Sequence, residues 1–128
     1  MRIADINGVY RADSIEELDA ILMKRCGDFN SFWLSHDDDA YPMLSLLVKN
    51  DLATLTYFPR EFDAGFSSVG TVSELDREAS TVFAISHNRA DDLVVLNSAV
   101  LPFSTAVLVA REFFRAKDLP TAVEWREL

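Results

Sequence analysis

The stretch PMLSLLVKNDLATLTYF, residues 42–58, carries the clearest strand pattern in the chain. Apolar runs of strand length lie on either side of Asn50-Asp51, a pair that favours a turn. In the second run, LATLTYF, alternate positions form two sets of side chains that each suit one face of a sheet. The stretch therefore predicts two antiparallel strands joined by a tight turn.

A third strand is predicted directly before this pair, at SFWLSH, residues 31–36. The segment is short and rich in aromatic residues, as strands often are. DDDAY then becomes the turn that leads into the second strand, and KND the turn that leads into the third. The three segments together predict an antiparallel meander.

The N-terminal segment predicts a hairpin and a helix. Asn7-Gly8 favours a hairpin turn because both residues tolerate positive φ. Ser14 and Glu17 have capping-box spacing, and the apolar residues that follow recur at helical intervals. We expect a helix over residues 14–26, closed by Gly27.

The C-terminal half predicts a second pair of strands and a second helix. TVFAIS and DLVVL are separated by the polar HNRAD, which fits antiparallel pairing. Pro102 should open the last helix and Pro120 should follow its end. AVEW predicts a final short strand, and residues 59–80 are expected to form one long irregular segment.

These elements predict an α+β fold with a single largely antiparallel sheet of about six strands and two main helices packed on it. The chain has 128 residues and shows neither a linker nor an internal repeat. We therefore expect one domain over residues 1–128.

Composition narrows the functional classes. Hydrophobic residues make up 49% of the chain, and 21 acidic residues against 12 basic ones give a net charge of −9. This charge argues against direct nucleic-acid binding, which needs a basic face. The chain has one cysteine, Cys26, no signal-peptide pattern and no apolar run of about 20 residues, so we expect a cytoplasmic protein without a membrane segment.

The segment SHDDDAYP, residues 35–42, holds the residue types of a metal site but not the spacing of one. Adjacent residues of a turn point in different directions, and a calcium loop alternates its acids. We expect a polar hairpin turn with no metal. Glu61 and Asp63 are expected to be solvated loop acids, and no common catalytic or nucleotide-binding motif occurs, so we expect no catalytic residues and no cofactor.

Acidic and aromatic residues in the turn and in the long loop instead suggest a protein-binding surface, because interfaces often combine aromatic anchors with charged surroundings. The candidate contact residues are Asp37, Asp38, Asp39, Tyr41, Glu61, Phe62, Asp63 and Phe66.

Three segments together resemble a known family: INGVYRADSIEELDAIL, YPMLSLLVKNDLATLTYF and AREFFRAKDLPTAVEWREL. Their order is similar to that of the first numbered immunity-protein family of bacterial polymorphic toxin systems. The similarity is strongest to members paired with deaminase toxins, including double-stranded-DNA cytosine deaminases, and it is weakest over residues 59–100. It implies a non-enzymatic inhibitor in the cytoplasm that binds a cognate toxin domain and blocks its active site.

Two alternatives remain open at the level of sequence. The chain could be a regulatory or homo-oligomeric protein-binding module without a toxin partner, and the sequence leaves the oligomeric state open, a homodimer included. It could also be a small hydrolase or metal-dependent enzyme that uses His36, His87 and nearby acids.

Overall fold

The computed structural model describes all residues, 1–128. It contains ten strands, two α-helices and two short 3-10 turns. The strands and helices in chain order are β1 (Arg2–Ala4), β2 (Val9–Arg11), α1 (Ile15–Leu22), β3 (Phe29–Ser35), β4 (Met43–Lys49), β5 (Leu52–Phe58), β6 (Phe66–Ser68), β7 (Ser80–Phe83), β8 (Leu93–Leu96), β9 (Leu101–Pro102), α2 (Phe103–Arg115) and β10 (Trp125–Glu127).

The predicted meander is confirmed as β3, β4 and β5. Leu46 in the middle strand lies opposite Phe32 on one side and Leu55 on the other. The β4–β5 turn contains Asn50 at φ +52°, a conformation that asparagine tolerates better than most residues. All three strands have seven residues and pair along their whole length, which makes them the centre of the sheet.

The main sheet has eight strands, so the prediction of about six is wrong. Its order is β10-β6-β5-β4-β3-β1-β2, with β9 paired to part of β5, and every pair is antiparallel. The strands that the sequence did not predict, β6 and β9, have three and two residues, too few to show alternation. β6 lies within the segment predicted to be irregular, and the last strand begins at Trp125 rather than at residue 122.

The predicted pairing of TVFAIS with DLVVL is confirmed, but the pair does not join the main sheet. β7 and β8 form a separate two-stranded sheet. Its inner face packs on the meander through Phe83, which is fully buried against Leu47 and Val100. We call the side of the main sheet that carries Leu47 the second face.

The opposite side of the main sheet carries the larger core. α1 and α2 cover it, and Phe32, Leu46 and Leu55 are completely buried there with Leu18 and Phe113 from the two helices. Arg111 on α2 forms a two-point ion pair with Asp19 on α1, with distances of 3.0 and 2.7 Å. The two helices are therefore joined by polar as well as apolar contacts. Their position confirms the prediction that two main helices pack on the sheet.

Helix α1 begins as predicted and ends four residues early. The Glu17 amide donates to Ser14 Oγ over 3.1 Å, which confirms the N-terminal cap. After Leu22 the chain turns away, and the Arg25 guanidinium satisfies the Leu22 carbonyl at 2.7 Å. Gly27 does not close the helix: at φ +66° it lies in the tight turn between Cys26 and Phe29 that leads into β3.

Helix α2 follows Pro102 as predicted and has 13 residues. Neither helix combines the length and the apolar character that crossing a bilayer requires. Ala110 and Phe113 are buried as the apolar spacing indicated, whereas Val107 and Phe114 are only partly buried. Ala106 and Val109 complete the buried stripe, so the face that packs on the sheet is rotated slightly from the predicted one.

Phe113→Ala should lower the free energy of unfolding by about 3–5 kcal/mol, because it removes a fully buried ring from the larger core. Urea unfolding followed by circular dichroism measures this change. Leu108→Ala on the same helix is the matched control, since Leu108 is 52% exposed and its truncation should cost about 0.5 kcal/mol or less. Equal losses in the two variants would contradict the assignment of the buried face.

Candidate functional site

The structure brings the acidic turn and the Phe62 loop to the same end of the sheet. Met43 lies opposite Ser35 on β3 and opposite Phe58 on β5. The turn over residues 36–42 and the loop over residues 59–65 therefore leave neighbouring strands at the same end of the sheet. We call this end of the sheet the turn end. Seven of the eight predicted contact residues lie in these two segments.

Two of the three aspartates in the acidic turn already have a cation from their own chain. Asp37 Oδ2 lies 2.9 Å from Arg11 Nη2, and Asp38 Oδ1 lies 3.2 Å from Lys117 Nζ. The hydrogen bond from Lys117 holds the pKa of Asp38 below its usual value. Asp39 is exposed and has no cation within 4.0 Å, so it is the member of the turn whose charge is free for a partner.

The Phe62 loop is a tight turn held by its own polar residues. Asp63 Oδ1 accepts from the Gly65 amide over 2.8 Å, and Asp63 Oδ2 pairs with Arg60 at 3.2 Å. Gly65 lies at φ +86°, and a Cβ there would come within 2.6 Å of the Tyr57 carbonyl oxygen. Asp63 is thus committed to the loop itself, whereas its neighbour Glu61 is exposed and has no cation within 4.0 Å.

Phe62 is the most exposed large apolar side chain in the molecule. Its side chain is 99% accessible and its backbone lies at φ +63°, a region that a bulky residue seldom occupies. Because the ring remains in water, no apolar surface is buried, and the side chain does not stabilise the folded protein. Strain of this kind is often found at ligand-binding positions, so Phe62 is the strongest candidate anchor among the predicted residues.

Two of the predicted contact residues are less exposed to a partner than expected. Phe66 was predicted to lie in a loop, and this is wrong, because it is the first residue of β6, lies opposite Tyr57 and packs partly buried against the larger core. Tyr41 is half-buried at the end of the acidic turn. Both residues remain at the turn end, but Phe66 has a structural role that the sequence did not indicate.

A further set of side chains that the prediction missed lies on the second face of the sheet, next to the turn end. Trp33, Met43 and Phe58 share this face by register and are half-buried. β7 and β8 cover the neighbouring part of the face, around Leu47, and leave this part open. Strand alternation could have identified the three residues if the side covered by the helices had been known.

The two histidines are at opposite ends of the sheet, so they cannot act together as the enzyme alternative required. His36 lies at the turn end, where its ring packs against Phe113 with the centroids 4.9 Å apart. At the other end, His87 Nδ1 lies 3.8 Å from Cys26 Sγ, and His87 Nε2 lies 2.9 Å from Asn7 Oδ1. No cluster of three or more histidine, cysteine and acidic side chains has the arrangement of a metal site.

At this far end, a thiol contacts an imidazole and the imidazole contacts an amide, which is the series of contacts found in cysteine hydrolases. Cys26, however, follows the C-terminal end of α1, so no helix N-terminus faces its sulfur. The neighbouring cleft is lined by acids as well as bases, Asp28 and Asp92 beside Lys49 and Arg89. The contacts describe a polar junction between the β1–β2 turn and the segment before β8.

Comparison with known proteins gives one informative match. No protein-family model matches the chain. The sequence is 24% identical over 125 residues to a protein of Burkholderia cenocepacia (strain H111) named double-stranded DNA deaminase immunity protein, and the alignment covers 97% of each chain. The resemblance to immunity proteins inferred from three segments is thus confirmed. The relative's name is that of an immunity protein, in agreement with the expectation that the chain is not an enzyme.

The burial of His36 predicts a pH dependence of stability. Burial lowers the pKa of His36, and its Nε2 is buried without a hydrogen-bond partner. Below about pH 6.5, the usual histidine pKa, the unfolded chain therefore binds a proton more readily than the folded protein does. The free energy of unfolding should fall as the pH is lowered through this region toward the depressed pKa.

Replacing His36 by phenylalanine keeps a ring against Phe113 and removes the titration, so the decrease between about pH 7 and pH 5.5 should flatten. Urea unfolding at a series of pH values measures the slope. His87→Asn, which removes the other histidine and leaves the contact of His36 with Phe113 in place, is the comparison variant. A slope unchanged in His36→Phe would show that other groups produce it.

Proposed function

We propose that this chain, acting as one domain over residues 1–128, is a non-enzymatic immunity protein that binds a cognate toxin domain and blocks its active site. The toxin is a nucleic-acid deaminase, and the complex forms in the cytoplasm of the cell that makes both proteins. The observation that carries the proposal is the match to a protein named double-stranded DNA deaminase immunity protein over 97% of both chains. A match of that extent aligns nearly all the elements of the fold, not one motif.

The charge of the chain supports this partner. An enzyme that acts on nucleic acid needs a basic groove for the phosphate backbone. This chain has a net charge of −9, and only five of its 21 acidic side chains pair with a cation of the same chain. A protein of this charge is attracted to a basic groove, which raises its association rate.

The turn end supplies the contact in this proposal. Asp39 and Glu61 provide free charges, and Phe62 provides an apolar anchor that a toxin pocket would bury. Three acids of the turn end already pair with a cation of the same chain: Asp37, Asp38 and Asp63. They would shape the surface, and each could bind a toxin cation only if its existing ion pair were broken. Tyr41 and Phe66, both half-buried, would contribute the edges of their rings.

Co-expression with the protein encoded directly upstream tests the function as a whole. We expect a stable complex in a pull-down and restored growth of cells that express the upstream toxin. Cells that express the toxin with an empty vector are the control. Absence of both the complex and the rescue would overturn the proposal and favour a regulatory or homo-oligomeric module.

Single substitutions test the turn end separately from the function. Phe62→Ala should raise the dissociation constant for the toxin by about tenfold or more, because it removes the anchor while leaving the fold intact. Asp39→Lys should slow association, and the difference should shrink as salt is raised. Both effects can be measured by surface plasmon resonance at several salt concentrations.

Asp51→Lys is the matched control for Asp39→Lys, because it changes the net charge equally at an exposed aspartate in the β4–β5 turn, at the opposite end of the sheet from the turn end. Its association rate should remain nearer to that of the wild type. If Phe62→Ala, Asp39→Lys and Asp51→Lys all bound the toxin alike, the contact would lie elsewhere on the protein, and the immunity function itself would be unaffected.

A further inference from the structure

The outer face of β7 and β8 is apolar and exposed. Val82 lies opposite Val94, and Ser80 lies opposite Leu96, so these four side chains share the side of the small sheet that faces away from Phe83. Val82 is 43% accessible, Val94 71% and Leu96 51%. Adjacent exposed aliphatic side chains on one small sheet are unusual on a protein surface that contacts only water.

The sheet that presents this face is held firmly by polar contacts with its surroundings. Thr81 Oγ1 and the Asn97 side chain are 2.6 Å apart, and Asn97 Nδ2 donates to the Asp76 carbonyl over 2.8 Å. The Gly70 amide donates to the Ser98 carbonyl over 2.6 Å, and no Cβ would fit at position 70. A preformed apolar face loses little conformational entropy when a partner covers it.

Acidic side chains lie at both ends of the apolar face. The segment from residue 74 to residue 96 contains five acids and two arginines, and none of these acids lies within 4.0 Å of a cation. The acids are Glu74, Asp76, Glu78, Asp91 and Asp92. The turn that contains Asp76 and Glu78 is bonded to Asn97, next to Leu96, whereas Asp91 and Asp92 directly precede β8. An apolar centre with a charged rim is the usual anatomy of a protein interface.

We propose that the outer face of β7 and β8 is a second docking surface for the toxin domain, and that it binds a part of the toxin with an apolar centre and a basic rim. The inference rests on the proposed function, because it names a further part of the surface that the toxin covers. The turn end presents one fully exposed apolar side chain, Phe62, whereas a stable interface buries several in its centre. Val82, Val94 and Leu96 supply that missing apolar area.

Charge complementarity selects this occupant over a second copy of the chain. Two copies that met through this face would bring two acidic rims together, and like charges across an interface disfavour association. A basic groove that binds nucleic acid offers the opposite charge. The same face on a protein with a net charge of −9 therefore favours a heterologous basic partner.

The test compares two matched substitutions in the full chain. Val94→Arg places a cation in the centre of the apolar face, and Leu108→Arg does the same at an exposed leucine on α2, on the other side of the molecule. The dissociation constant for the toxin encoded upstream should rise about 30-fold or more in Val94→Arg and stay close to the wild-type value in Leu108→Arg. Val94→Thr, which keeps the β-branched shape, should give a smaller rise in the same direction.

Thermal unfolding of each variant separates loss of contact from loss of fold. A folded Val94→Arg protein with weakened toxin binding supports the inference. If wild-type protein binds the toxin and folded Val94→Arg and Val94→Thr proteins bind it equally well, the inference is overturned and the immunity function stands. If wild-type protein binds no upstream toxin, the function and the inference both fail.

Analytical ultracentrifugation of the protein alone tests whether a second copy of the chain binds this face. A monomer at tens of micromolar is the expected result. A wild-type dimer that Val94→Arg dissociates would overturn the inference, because the face would then serve a second copy of this chain.

Discussion

The continuous pairing of β3, β4 and β5 is the constraint on which the rest of the structure depends. Once Leu46 lies opposite Phe32 and Leu55, strand alternation assigns every other side chain of the meander to one of two faces. A shift of one residue would place these apolar side chains on the side away from the helices. The same register brings the acidic turn and the Phe62 loop to one end of the sheet, so the candidate contact surface follows from the pairing of the core.

The two faces of the sheet are covered by different means. α1 and α2 bury the first face with apolar side chains. The second face holds buried polar residues that bond to the carbonyls of the segments above it: Ser31 Oγ donates to Ala84 over 2.8 Å and Thr54 Oγ1 to Ala99 over 2.9 Å. Because these bonds fix the covering segments over only part of the face, Trp33 and Phe58 remain partly open to solvent, and β7 and β8 expose their outer side.

Acidity alone does not locate a partner in this protein. The most acidic stretch, residues 37–39, is partly neutralised by Arg11 and Lys117, whereas the more dispersed acids near β7 and β8 have no such partners. Exposed ion pairs contribute little to stability, but they decide which carboxylates are free to meet another molecule. A net charge of −9 therefore describes long-range attraction, and the contact itself depends on the unpaired acids and the apolar side chains beside them.

Local patterns determined the meander, the Ser14 cap, the start of α2 and the pairing of β7 with β8, because alternation, capping and turn preferences are properties of neighbouring residues. Only tertiary structure decided the short strands β6 and β9, which exist because the longer strand β5 offers them hydrogen bonds. It also paired Lys117 with Asp38 across 79 positions, packed Phe66 partly buried against the larger core and turned Val94 outward. Burial and charge pairing depend on residues far apart in the chain, so the sequence could name Phe62 and Asp39 as candidates but could not say which of their neighbours were already engaged.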